Sequence, residues 1–203
     1  MLKENELFCR TLEKSLGALR GVIAQDFVEQ CWKHWRLLIQ WNKKINLTAI
    51  RDPMEGALLH YRDSIEAAPL LHGNDIIDFG SGAGFPGIPL AIAFPDKHFT
   101  LLESRRKRCS FLKVVKSTLK LPNIRVLECR AEDPATALYS CGLTRATFST
   151  HKDLEGLFTW LLPSAPLLVY RSCQENTGST TYETHEYQLM NRQRALEIWQ
   201  RSG

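Results

Sequence analysis

The residues most suited to chemistry lie together in one segment, Asp78-Phe79-Gly80-Ser81-Gly82-Ala83-Gly84-Phe85-Pro86-Gly87. Glycine has no Cβ, so such a chain turns sharply and lets its main chain approach a bound molecule. Asp75-Ile76-Ile77-Asp78-Phe79 reads as a short buried strand, and Ile88 to Phe94 as a short helix with Pro89 tolerated in its first turn. A glycine-rich loop between a strand end and a helix start is where open α/β sheets take nucleotide-like ligands. Two ligands compete for it. Gly82 to Gly87 fits the G-x-G-x-x-G dinucleotide pattern. The wider pattern, an acid followed by glycines at 80, 82 and 84, fits an S-adenosylmethionine loop. Asp78 favours the second, because a carboxylate attracts the cationic part of that molecule and repels a pyrophosphate. Pro86 also disturbs the helix opening that would cradle a phosphate.

Two further positions extend the candidate site. Glu103 closes the next predicted strand, His98 to Leu102, 19 residues beyond Gly84. An acid there can accept hydrogen bonds from both ribose hydroxyls of an adenosine. It also suits the first turn of a following helix, and it fits either cofactor. Arg130-Ala131-Glu132-Asp133 follows a third strand, Ile124 to Glu128, at the place that faces the adenine in a doubly wound sheet. Its acids serve equally as helix caps after Pro134.

The elements that must position these residues are legible to different degrees. Apolar spacing predicts helices over 2–19 and 22–41, separated by Gly21. Asp52-Pro53 marks the N-cap and first position of a third helix through about residue 68, ended by Pro69. Residues 105–119 form a basic amphipathic helix. A strand within 143–149, a helix from 153 to 162, a strand at 166–170 and a strand pair near 181–189 and 194–199 complete the reading. Alternating strands and helices specify an α/β fold of the Rossmann-like class, a mainly parallel sheet with helices on both faces. The expected organisation is an N-terminal helical cap over 1–70 and the ligand-binding domain over 71–203.

Composition narrows the function classes. The 203 residues are 44% hydrophobic and 24% charged, ordinary for a globular protein. No apolar run reaches membrane-span length, and acids at Glu4 and Glu6 stand where a signal peptide starts basic. A cytoplasmic location is expected. The six cysteines lack zinc-knuckle or redox spacing, and the six histidines lack metal-ligand spacing, so no metal is expected. Net charge is +4, but residues 104–130 hold nine basic side chains and one acid, a net +8 against −4 elsewhere. Read alone, this is a solvated helix face; beside a nucleotide-type site it favours a polyanion such as nucleic acid.

Several segments together resemble one family. Trp41-Asn42-Lys43-Lys44-Ile45-Asn46-Leu47-Thr48-Ala49-Ile50, His60-Tyr61-Arg62-Asp63-Ser64, Asp78 through Ala91, and Arg130-Ala131-Glu132-Asp133 are similar to the bacterial RsmG family, also called GidB. The resemblance implies a class I methyltransferase that uses S-adenosylmethionine to methylate guanine N7 in the 530 loop of 16S ribosomal RNA. By position, it puts Gly80 and Phe85 at the cofactor and Ala131-Glu132 at its adenosine. It also implies an active-site arginine from a Ser-Arg-Ala-Phe segment, for which Thr144-Arg145-Ala146-Thr147-Phe148 is the nearest match. Anchoring on Leu154, Leu157 and Trp160 instead would put Ser149 there, with His151 or Lys152 nearby. Arg145 is the preferred candidate. Where the family carries lysine-glycine after the fifth strand, this chain reads Tyr170-Arg171-Ser172. Lys43, Lys44, Arg105, Arg106 and Arg171 are the candidates for RNA contact.

Guanine N7 carries an exposed lone pair and needs no deprotonation, so alignment and electrostatics suffice. The expected partner is 16S ribosomal RNA or the small ribosomal subunit, with the protein a monomer. Two alternatives remain: a small NAD-dependent oxidoreductase on the same glycines, and an RNA-binding module that has lost turnover.

Overall fold

A computed structural model describes residues 3–148, 150–172 and 182–201. Ser149, Cys173 and residue 181 lie outside these. Among the described residues, no helix is long and apolar enough to cross a membrane.

Among the described residues, seven strands form one sheet: β1 (Asp75–Phe79), β2 (His98–Glu103), β3 (Ile124–Glu128), β4 (Cys141–Arg145), β5 (Leu167–Ser172), β6 (Tyr182–Leu189) and β7 (Arg192–Trp199). Their order is β3-β2-β1-β4-β5-β7-β6. The first five run parallel, and β7 lies antiparallel to β5 and to β6. The order reverses between β1 and β4. The crevice beyond the carboxyl ends of these two strands is therefore the switch point where such sheets bind ligands.

Period-two alternation sends Ile76 and Asp78 to one face of β1, and Ile77 and Phe79 to the other. The first face is covered by α1 (Glu4–Ser15), α2 (Phe27–Asn42), α4 (Gly87–Ala93) and α5 (Arg106–Leu119). Phe8, Leu12, Trp35, Tyr61, Ile76, Leu101 and Phe111 share one core across it. That core crosses residue 70, where a boundary was expected. The second face packs Ile77, Phe79 and Leu102 against Leu154, Leu157 and Trp160, from α6 (His151–Leu157) and the 3-10 turn after it.

The sequence-based elements recur with shifted bounds; the helix expected over 153–162 is α6 over His151–Leu157 followed by a 3-10 turn over Phe158–Trp160, and the last strand starts at Arg192, not 194. α1 stops at Ser15 because Gly17 sits at φ +52°, and Leu16 and Leu19 continue through a 3-10 turn. The second helix starts at Phe27, not 22. The third helix opens as expected: the Asp52 carboxylate accepts from the N–H groups of Met54 and Glu55 at the start of α3 (Pro53–Gly56). It then widens into a π-helical turn over Ala57–Arg62 and a 3-10 turn over Ile65–Leu70 that contains Pro69. β4 begins earlier than expected, at Cys141, and ends at Arg145 because Ala146 adopts φ +58°.

Candidate active site

The glycine loop rises from β1 at the switch point, and its glycines are required for different reasons. Gly80 has φ +69°, and a Cβ there would lie 2.5 Å from the Thr147 methyl. A Cβ on Gly84 would meet Ile88 at 2.1 Å, and one on Gly87 would meet the Asp78 carboxylate at 2.7 Å. Gly82, at φ +56°, is the open position, with Arg108 3.7 Å from its Cβ direction.

Asp78 is buried behind this loop. Its Oδ2 accepts from the Gly87 N–H at 3.1 Å, at the start of α4. Its Oδ1 is buried and has no hydrogen-bond partner among the described residues. Burial pushes its pKa up from 3.8 to about 7, against the lowering effects of its hydrogen bonds and of Arg145. A half-satisfied buried carboxylate is costly. It suits a cationic ligand that supplies the missing partner.

Glu103, also buried, braces the loop from β2. Its Oε2 accepts from Gly82 N–H at 2.9 Å and its Oε1 from Arg105 N–H at 2.8 Å, with Arg108 3.7 Å away. Each carboxylate oxygen keeps a second lone pair for a further donor. Gly80, Glu103, Arg105, Arg108, Ala131 and Glu132 line a cavity of about 240 Å³, with Thr147 and Phe148 on its near side. This is small beside typical small-molecule sites of roughly 300–1,000 Å³. The Thr147 hydroxyl narrows it by donating to Gly80 C=O at 3.3 Å. A larger groove of about 510 Å³ runs beside α2, but it lies away from the strand ends. Trp160, buried under the cavity, donates from Nε1 to Ala131 C=O at 2.8 Å and fixes the turn that carries Ala131 and Glu132.

Phe85 and Arg145 stand on the other flank of the loop. The His60 ring lies parallel to Phe85 at 4.4 Å, and the Arg145 guanidinium is 5.1 Å from the Phe85 centroid. Burial, and then Arg145, hold the His60 pKa well below its ordinary value. The neutral ring accepts from Arg145 Nη2 at 3.4 Å and donates to Thr48 Oγ1 at 2.8 Å. Asn42 fixes that loop with three hydrogen bonds to the main chain of Leu47 and Thr48. His34, pushed down to a pKa of about 3 by burial, bridges the Ala83 C=O and the Tyr61 hydroxyl. The cap thus grips the glycine loop directly.

The matches to known proteins agree with this geometry. The family model for rRNA small subunit methyltransferase G, GidB, matches residues 28–198. The chain belongs to the rRNA small subunit methyltransferase G family. It is 41% identical over 159 residues to ribosomal RNA small subunit methyltransferase G of Pectobacterium carotovorum, covering 77% of this chain and 75% of that one. With the Yersinia enterocolitica protein of the same name it shares 44% over 159 residues, covering 77% and 76%. A SAM-dependent methyltransferase from Aquifex aeolicus has a similar fold, with TM-score 0.55 and 14% identity over 71% of this chain and 92% of that one. The apo methyltransferase SibL gives TM-score 0.57 at 13% identity, covering 88% and 77%.

Within this GidB-type chain the expected site residues divide into three groups. Gly80, Glu103, Ala131 and Glu132 share the cavity, while Asp78, Gly82 and Gly84 shape its loop. Phe85 and Arg145 meet on the cap side. Of the expected RNA contacts, Lys43, Lys44, Arg105 and Arg106 are exposed. Arg171 is half-buried: it pairs with Glu197 at 3.2 Å and donates to Phe148 C=O at 3.4 Å. The alternative anchor, Ser149, lies outside the described residues, and His151 and Lys152 belong to the opening of α6. The sequence reading missed the roles of Thr147 and Arg108 in the cavity and of Asp63 beneath Arg145. For Asp63 the signal was present, as an acid inside the family-matching segment His60 to Ser64.

Proposed function

We propose that this chain transfers the methyl group of S-adenosylmethionine to N7 of a guanine in the 530 loop of 16S ribosomal RNA. The observation that carries the cofactor half is the Asp78 carboxylate buried directly behind the glycine loop, with one oxygen unpartnered among the described residues. A pyrophosphate would meet a carboxylate there, so the nicotinamide alternative is disfavoured. Membership of the GidB family supports the ribosomal RNA half.

S-adenosylmethionine supplies, when bound, an electrophilic methyl group on a cationic sulfur. Asp78 is the counter-charge for the cationic end. Glu103 accepts the ribose hydroxyls with its free lone pairs, and the Ala131-Glu132 turn borders the base. Phe85, fixed between His60 and Arg145, forms an apolar wall that excludes water from the mouth. Arg145 presents planar donors there to the guanine or its phosphate. Lys43, Lys44, Arg105 and Arg106 supply exposed positive charge for the RNA backbone. Alignment and preorganised charge carry the rate, since N7 needs no general base.

The test is incubation of the protein and labelled S-adenosylmethionine with small ribosomal subunits or free 16S RNA, followed by mapping of N7-methylguanosine. Label in the 530 loop is the expected result. Cofactor binding without transfer to either substrate would favour the RNA-binding module instead. Retention of NAD in place of S-adenosylmethionine would overturn the cofactor assignment.

A further inference from the structure

Beneath Arg145 lies a buried charge cluster that the methyl-transfer scheme leaves unused. Asp63 is fully buried in the first turn after the π-helical segment. Its Oδ2 accepts from Arg145 Nη1 and from Arg194 Nη2, both at 3.0 Å, and its Oδ1 accepts from the Tyr187 hydroxyl at 2.8 Å. Arg194 Nε is 2.6 Å from Asp63 Oδ1 but is misaligned for a hydrogen bond, so that contact is ionic. Arg145 also donates to the Leu59 C=O at 3.3 Å. Its guanidinium is therefore held on one edge by the cap and lies against Phe85.

Resting on the proposed reaction, we infer that Asp63 is a positioning residue for Arg145. Its carboxylate fixes the plane of the guanidinium at the reaction mouth and ties that plane to the β6–β7 hairpin through Tyr187 and Arg194. Three facts carry this. A buried carboxylate must be paired, and its partners here come from the end of β4 and from both hairpin strands. Arginine donors form a rigid fork, so occupying Nη1 sets the direction of the remaining N–H groups. A planar donor aimed in advance works without reorganisation during the reaction.

Removing Asp63 alone leaves two guanidinium groups facing each other in a buried place, and that variant risks misfolding. The test therefore starts from Arg194→Gln, which leaves the Asp63–Arg145 pair intact and balanced. Wild type and R194Q should methylate the RNA with kcat within about threefold of each other. Adding Asp63→Asn to R194Q removes the carboxylate without creating a like-charge pair. It should lower kcat by about 100-fold, in the range for loss of one oriented donor. The KM for S-adenosylmethionine should stay within about threefold. In an R145A background the same D63N change should have no further effect, because the two residues act as one unit. A second readout needs no RNA: the Arg145 guanidinium ¹⁵N resonances should be resolved in wild type and R194Q, and averaged by rotation once D63N is added. Equal kcat for R194Q and R194Q/D63N, independent effects of D63N and R145A, or unchanged arginine resonances would each overturn the inference. If wild type fails to methylate the RNA, the proposed reaction falls, while the resonance experiment still decides whether Asp63 holds Arg145.

Discussion

Replacing Asp78 with asparagine should make the protein more stable and less able to bind its cofactor, and the gain should depend on pH in a calculable way. Burial raises the folded-state pKa of Asp78 from 3.8 to about 7. The folded protein then holds a proton that the unfolded chain releases between these values. For a raised acid, its stability contribution is full below pH 3.8 and is lost as pH rises to about 7. Each pH unit between the two values is worth about 1.4 kcal/mol, so the loss by pH 7 is about 4 kcal/mol. Asparagine keeps the acceptor for the Gly87 N–H and carries no charge, so it escapes this loss. For a chain of this size 1 kcal/mol moves Tm by about 2–4 °C. The Tm of D78N minus that of wild type should therefore grow by about 8–16 °C between pH 4 and pH 8, measured by scanning calorimetry without cofactor. Taking the difference cancels the other titrating groups. Isothermal titration at pH 8 should show S-adenosylmethionine binding weakened about 10- to 100-fold in D78N, the worth of a charged hydrogen bond. Wild-type affinity should itself rise as pH passes through 7. Parallel Tm profiles for the two proteins from pH 4 to 8 would refute the buried, ionisable Asp78 on which the cofactor argument rests.

Three other outcomes follow from the same structure. His34 stays neutral in the fold to a pKa of about 3, so its contribution is full above pH 6.5 and is lost as pH falls from there; H34Q should flatten acid destabilisation between pH 6.5 and 3, followed by circular dichroism. Gly80→Ala should abolish detectable S-adenosylmethionine binding while most of the helical signal survives, because its Cβ collides with Thr147 at φ +69° and forces the 145–148 segment off the cavity. Arg105→Ala with Arg106→Ala should weaken RNA binding and reduce the salt slope by about 0.7–0.9 for each phosphate no longer neutralised; an unchanged slope removes this pair from the RNA footprint.

Local patterns already determined much of this protein. The apolar run at 75–79, the glycines after it and the acid at 103 depend on neighbours in sequence, so the loop and its strands were readable before folding. The same holds for Asp52-Pro53, whose cap is made within three residues. Tertiary structure decided what rests on partners far along the chain. The antiparallel insertion of β7 between β5 and β6 follows from how the sheet closes its edge, and no residue pattern encodes it. The break at Ala146, which ends β4 and turns Thr147 over Gly80, is a left-handed alanine that propensity argues against. Asp63 stood in the family-matching segment His60 to Ser64, but its partners were not legible there. Only the packing of the cap against the sheet brought Arg145, Tyr187 and Arg194 to it, from 82, 124 and 131 residues away. A charge's cost is set by its depth and its pairing, and both are properties of the folded chain.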